Sequence, residues 1–292
     1  MTIEEDLKKK IMHEGFPLQR YCSTILQNQG WNVEEEYPVQ WISPPQSQHK
    51  TVRTSGDIRA EFQYVAKSFG VRICVSCKKQ SSINWVFMKA MFNESDHFFL
   101  RSCALKPTPE ADYKNSWEYE YSFRKNDWPE SYPLCNIPTT LKGNSNGEES
   151  NKILQAADNL HLEVTQTISD DSIPLASILP IDQLIYVPVI VTAAEVYVYD
   201  IDFKKFDVDD VRCISIEKVP YLLYQHTLPI GKQRLVNNPH FGEQVKFEKF
   251  NIFVVHYKQF ERFAKIIKEQ FASKSIALPI PNKKSIKTGT NH

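Results

Sequence analysis

Hydrophobic and polar positions along the chain follow two periods, and the switches between them mark its elements. Residues 3–14 read as a short charged helix, broken by Gly15-Phe16-Pro17. Leu18, Tyr21, Cys22, Ile25 and Leu26 then recur at helical spacing, with Pro17 suited to the first turn and Gly30 to a C-terminal cap. From Trp31 to Trp41 the period becomes two: Val33, Tyr37, Val39 and Trp41 fall on one strand face, with Glu35 among them. Residues 56–64 and 71–79 read as second and third strands, with Phe69-Gly70 in the turn before the third. Trp85, Met88 and Phe92 are spaced as on a helix, so 83–92 is predicted helical.

Residues 104–150 differ in character. They hold Pro107, Pro109, Pro129 and Pro133, many aromatics and charges, and then the Gly/Asn/Ser run 142–147, which together predict an insertion ending in a flexible loop. Helical spacing returns over 150–168 with Ile153, Ala157, Leu160 and Val164. Residues 184–192, 195–201, 211–216 and 251–257 are strand candidates, and 259–271 is an amphipathic helix with Phe260, Phe263, Ile266, Ile267 and Phe271 on one face. A lysine-bearing tail, 273–292, is expected to be disordered. Helix, three strands, helix, further strands, helix is an α/β order, and the short early connections predict a mixed sheet.

Composition narrows the picture. With 292 residues, 41% of them hydrophobic and 12% aromatic, the chain can bury a sizeable core as one large domain or two small ones. Its 35 basic and 35 acidic residues balance, which excludes a binder that works by bulk positive charge but leaves room for a local basic cleft. The N-terminus has no apolar signal core. The most apolar stretch, 184–201, is interrupted by Pro188 and Glu195, short of the roughly 20 nearly charge-free residues of a membrane helix. No membrane partner is expected. The six scattered cysteines then fit a reduced, cytoplasmic chain.

Two segments concentrate the polar chemistry, 55–61 (Ser-Gly-Asp-Ile-Arg-Ala-Glu) and 73–79 (Ile-Cys-Val-Ser-Cys-Lys-Lys). Strand alternation puts Asp57, Arg59 and Glu61 on one face, and Ser76 and Lys78 on one face with Val75 and Cys77 pointing away. An acid at the start of one strand beside a lysine on its neighbour makes a site for a divalent cation and a phosphate together. Cys74 and Cys77 form a CxxC, but three residues apart in a strand they face opposite sides, which argues against zinc or redox chemistry. The eight histidines show no metal-ligand spacing. Glu34-Glu35-Glu36 reads as a solvated strand face or, second, as a source of a further carboxylate donor.

The stretch from 15 to 90 resembles the PD-(D/E)XK, or restriction-endonuclease-like, nuclease superfamily, and most closely its Mrr-like branch. The resemblance lies in Phe16-Pro17-Leu18-Gln19-Arg20-Tyr21, Gln29-Gly30-Trp31-Asn32-Val33, Gly56-Asp57-Ile58, Val75-Ser76-Cys77-Lys78 and Asn84-Trp85-Val86-Phe87, with a looser extension to Val189-Ile190-Val191-Thr192. It implies a mixed central sheet flanked by helices, as one nuclease-like domain over 1–272. Its core would be 15–92 and 150–202, with an insertion at 104–149, a C-terminal extension at 203–272 that includes the amphipathic helix, and a tail. It implies that Asp57 binds Mg²⁺ or Mn²⁺, that the Cys77 carbonyl is a second ligand, and that Lys78 positions the attacking water or stabilises phosphate charge.

Two positions depart from the family pattern. Ser76 stands where the half-motif carries an acid, and Gln19 where the first helix often carries glutamate. Glu61 lies on the same strand face, but about 13 Å from Asp57 at roughly 3.3 Å per residue, too far for one metal. The expectation is therefore a metal-dependent DNA endonuclease, with defence against foreign DNA as one setting. The alternative is a nuclease-like domain that has lost cleavage and serves as a DNA-binding or protein-interaction subunit. A homodimer or a partner subunit is open in either case.

Overall fold

A computed structural model describes residues 3–13, 16–42, 51–79, 83–91, 97–104, 118–124, 132–141, 150–171, 181–227, 236–237, 244–245 and 249–273. Its helices are α1 (Ile3–His13), α2 (Phe16–Asn28), α3 (Ser150–Asp171) and α4 (Phe260–Ser273). Its strands are β1 (Asn32–Glu35), β2 (Pro38–Ile42), β3 (Thr51–Ser55), β4 (Ile58–Tyr64), β5 (Phe69–Lys78), β6 (Asn84–Lys89), β7 (His97–Ala104) and β8 (Glu118–Arg124). They continue as β9 (Leu134–Leu141), β10 (Gln183–Thr192), β11 (Glu195–Ile201), β12 (Ile214–Lys218), β13 (Tyr221–Thr227), β14 (Val236–Asn237), β15 (Gln244–Val245) and β16 (Lys249–His256).

Among the described residues, twelve strands form one mixed sheet whose main path runs β1-β4-β5-β10-β16-β13-β9-β6-β11-β12. At its head, β1 and β5 both pair antiparallel with β4, and β10 pairs parallel with β5. The sheet is covered on both faces. Leu18, Cys22 and Leu26 of α2 and Phe260, Phe263, Ile267 and Phe271 of α4 pack on Val71, Ile73, Val75, Val187 and Val189. On the opposite face, Ile153, Ala157, Leu160, Val164 and Ile168 of α3 pack on Cys74, Leu184, Tyr186 and Ile190. With helices on both sides, β10 is buried at all ten positions, which is why it reads as a continuous apolar run rather than an alternation.

Pro188 sits inside that central strand without breaking it. The Ala193 N–H donates to the Lys78 carbonyl, so odd-numbered residues near this end of β10 bond toward β5 and even-numbered ones toward the other edge. On that other edge β7 pairs with Gln183–Tyr186 and β16 with Val189–Thr192. Pro188 falls in the gap where β10 changes partners, so its missing N–H costs no ladder bond there.

Several expectations are revised. Residues 84–89 are strand β6, parallel to β11 and antiparallel to β9, and not a helix. Both faces are covered there, burying Trp85, Val86 and Phe87 in succession, and such a run fits either period. The helix that follows the first strands in the sheet's architecture is α3. Residues 31–41 form two strands and not one. Glu36 adopts a left-handed backbone (φ 52°), ending β1 and sending β2 into a separate hairpin with β3. Phe69 and Gly70 begin β5 instead of forming its preceding turn. The segments expected to be an insertion and an extension supply β9, β13 and β16 to the sheet, with β16 beside β10. The loop expected at 142–147 and the tail from 274 lie outside the described residues.

Candidate functional site

The head of the sheet positions Asp57. Strand β4 begins at Ile58, opposite Val75, so β5 runs on past the end of its neighbour through Ser76, Cys77 and Lys78. The Cys77 N–H points to this open side and would lack a strand partner. The Asp57 carboxylate takes its place: Oδ2 accepts from Cys77 N at 2.6 Å and from Ser76 Oγ at 3.4 Å. In a strand the N–H and C=O of one residue project to the same side, so the Cys77 carbonyl also lies on the Asp57 flank. Among the described residues, Asp57 Oδ1 accepts no hydrogen bond and Lys78 makes no ion pair. Both are half-buried.

The backbone that carries Asp57 is held from three directions. Gln19, buried on α2, donates through Nε2 to the Asp57 carbonyl at 2.8 Å, and the Glu36 N–H donates to the same oxygen at 3.1 Å. The preceding Gly56 donates its N–H to the Tyr37 carbonyl at 2.9 Å. A Cβ at Gly56 would lie 2.6 Å from the Tyr37 hydroxyl oxygen and 2.8 Å from Cε1, so only glycine lets the ring pack on this turn.

Tyr37 leads to a carboxyl that sequence reasoning missed. Its hydroxyl hydrogen-bonds Glu163 on α3, and the Arg59 guanidinium lies 4.7 Å from its ring centre. Glu163 is buried and makes no ion pair among the described residues, and that burial pushes its carboxyl pKa up to about 8. The signal was an acid inside the apolar stripe of α3, in helical register with Ala156, Leu160 and Thr167.

The remaining acidic candidates are engaged elsewhere. Glu61 accepts from Arg72 at 2.6 Å and from Gln63 at 2.7 Å; Arg72 also pairs with Asp171 at the end of α3, which Tyr186 reaches at 2.6 Å. Glu61 is thus committed to this ion network. Arg59, on the same strand face, pairs with Glu34 at 2.5 Å, and Glu35 with Arg20 at 2.9 Å. The Glu34–Glu36 run thus has local partners, and the Glu36 backbone buttresses Asp57.

Cys74 and Cys77 are buried in opposite cores, as strand alternation requires. Burial lifts the Cys74 thiol pKa to about 12, and a hydrogen bond with Cys22 plus burial raises that of Cys77. Lying on opposite sides of the sheet, the two thiols are not placed to share one zinc ion. Among the described residues, no group of three His, Cys, Asp or Glu side chains is gathered as a metal centre. Any cation at Asp57 would rely on Oδ1 and the Cys77 carbonyl, with water and phosphate completing its shell. That donor set fits the few protein oxygens Mg²⁺ takes in phosphate sites. Ser76 and Gln19 add hydrogen bonds there and no charge.

No protein-family model, curated protein or solved structure matches the chain. Among the described residues, no helix is long and apolar enough to cross a membrane.

Proposed function

We propose that the chain is a PD-(D/E)XK-type, metal-dependent DNA endonuclease whose site is Asp57, the Cys77 carbonyl and Lys78. The observation that carries this reading is the docking of the Asp57 carboxylate on the free end of β5, one residue from Lys78, with no hydrogen bond to Oδ1 among the described residues. The order α2, β1, β4, β5, α3, β10 in a mixed sheet with helices on both faces supports a restriction-endonuclease-like assignment. Asp57 and the Cys77 carbonyl would hold Mg²⁺ or Mn²⁺, which supplies a water of lowered pKa and neutralises charge on the phosphate. Lys78 places a positive charge at the same strand end, where it orients the phosphodiester or the attacking water. Gln19 and Ser76 act as positioning residues, one on the Asp57 backbone and one on its carboxylate.

The test is incubation of the full chain with plasmid DNA and Mg²⁺ or Mn²⁺. Cleavage that stops on chelation and is lost in Asp57→Ala and Lys78→Ala supports the reading, and cleavage that survives both changes ends it.

One observation favours a second reading. Oδ2 of Asp57 is already taken by Cys77 and Ser76, so the carboxylate also works as a cap for a strand end. A domain that keeps this cap and binds DNA without cutting it, in a DNA-binding or assembly role, predicts a chelator-insensitive gel shift and no nicking.

A further inference from the structure

We infer that the far end of the sheet is a self-association surface on which two copies of this chain pair through the edge of β12. Strand β12 is the last strand of the main path, and among the described residues nothing pairs with its outer edge. All five of its residues are exposed. The same segment carries an unusual concentration of exposed apolar side chains: Phe203 (58%), Phe206, Val208 (85%), Val211, Ile214 and Ile216 (61%). The Phe203 and Phe206 rings lie 6.1 Å apart, and Ile216 and Ile214 stand opposite Tyr199 and Ile201 of β11.

Six such side chains within residues 203–216 leave several hundred Å² of exposed apolar surface, more than the scattered single residues that need no explanation. A stable interface buries roughly 800 Å² per partner, so edge pairing plus this patch approaches what a dimer needs. A long apolar edge without such a partner invites aggregation, whereas a two-fold pairing closes it.

The sequence of β12 selects the partner and the register. In an antiparallel pair about a two-fold axis at Ser215, Ser215 faces Ser215, and Ile214 faces Ile216 twice on one face. Moving the axis to Ile216 sets Ile214 against Lys218, and moving it to Glu217 sets two carboxylates opposite each other. The Ser215 register brings Lys218 beside the short 3₁₀ turn Val211–Cys213 that precedes β12 in the other copy, and the charges of Arg212 and Lys218 are each neutralised in their own copy. Arg212 sits on Asp210 at 2.9 Å and Lys218 on Glu195 at 2.5 Å. The strand is therefore complementary to a second copy of itself. The dimer does not depend on the chemistry at Asp57.

Sedimentation of the full chain and a cysteine crosslink test this. The parent is expected to sediment at twice 33.9 kDa and Ile216→Lys at 33.9 kDa with an unchanged melting temperature. Directly opposed antiparallel residues have Cα atoms about 4.5–5.5 Å apart, within disulfide reach. The six native cysteines are buried, so Ser215→Cys under mild oxidation is expected to give a reducible covalent dimer. A parent that stays monomeric at high micromolar concentration overturns the proposal, as does a dimer that neither crosslinks through residue 215 nor responds to Ile216→Lys. Should Ile216→Lys fail to fold, the Ser215→Cys crosslink alone decides.

Discussion

Asp57 has a structural job in the fold and, in the proposed function, a separable chemical one. Its Oδ2 satisfies the orphan Cys77 N–H, and in the proposed site Oδ1 would be the oxygen that meets a cation. Asp57→Asn keeps an acceptor for Cys77 but removes the negative charge. Urea unfolding should therefore shift by less than about 1 kcal/mol, while the heat of Mn²⁺ binding in calorimetry disappears. A variant that binds Mn²⁺ as the parent does would remove Asp57 from the metal site. Gly56→Ala acts on the same turn through sterics, because its methyl group would meet the Tyr37 ring. Overpacking of this kind costs about 1–3 kcal/mol, read as a lowered melting temperature together with weakened Mn²⁺ binding.

Glu163 adds a pH dependence whose sign follows from its burial. Its folded pKa is raised to about 8 from an ordinary value of 4.5. Between these pH values the folded chain keeps a proton that the unfolded chain releases. The group's contribution is thus fully present below pH 4.5 and is lost as pH rises through 8. Glu163→Gln keeps an acceptor for the Tyr37 hydroxyl and cannot ionise. Its stability in urea should exceed the parent's at pH 8 and approach it at pH 5, and parallel pH profiles would contradict the assignment.

At the scale of elements, the ion network on Arg72 ties β4, β5 and α3 together. Arg72 meets Glu61 and Asp171 with all three side chains largely buried. Removing the cation strands two acids in the interior, so Arg72→Ala should cost about 3–5 kcal/mol, measured by chemical denaturation. A loss below about 1 kcal/mol would place the network in solvent-like surroundings.

The elements also show what was legible. The placing of Asp57 at the start of a strand next to the one that carries Lys78 was readable from two alternating segments close in sequence, and β4 and β5 do pair, antiparallel. The apolar faces of α2, α3 and α4 were readable for the same reason at a period of 3.6. The Tyr37–Glu163 bond joins residues 126 positions apart, and no local pattern encodes it. Strand β6 was hidden because Trp85 and Met88 fit a helix as well as a doubly covered strand does. The splitting of 31–41 rests on one left-handed residue, Glu36, whose side-chain type gives no warning of it.

For the whole molecule, net charge carries little information about function. The 35 acids and 35 bases balance, and around Asp57 most are paired locally: Arg59 with Glu34, Arg20 with Glu35, Arg72 with Glu61 and Asp171. Lys78 stands out because, among the described residues, it is not tied into such a pair. If Asp57 and Lys78 form the proposed metal site, this neutral molecule should bind DNA weakly without a metal and more tightly with one. Nicking of supercoiled plasmid in Mn²⁺, with Asp57→Asn run beside the parent, tests the central claim most directly. The parent is expected to nick the plasmid, chelation to stop it, and Asp57→Asn to lose about a hundredfold or more of the rate. A folded parent that binds DNA but never nicks it, or an Asp57→Asn variant that nicks it equally well, would contradict that claim.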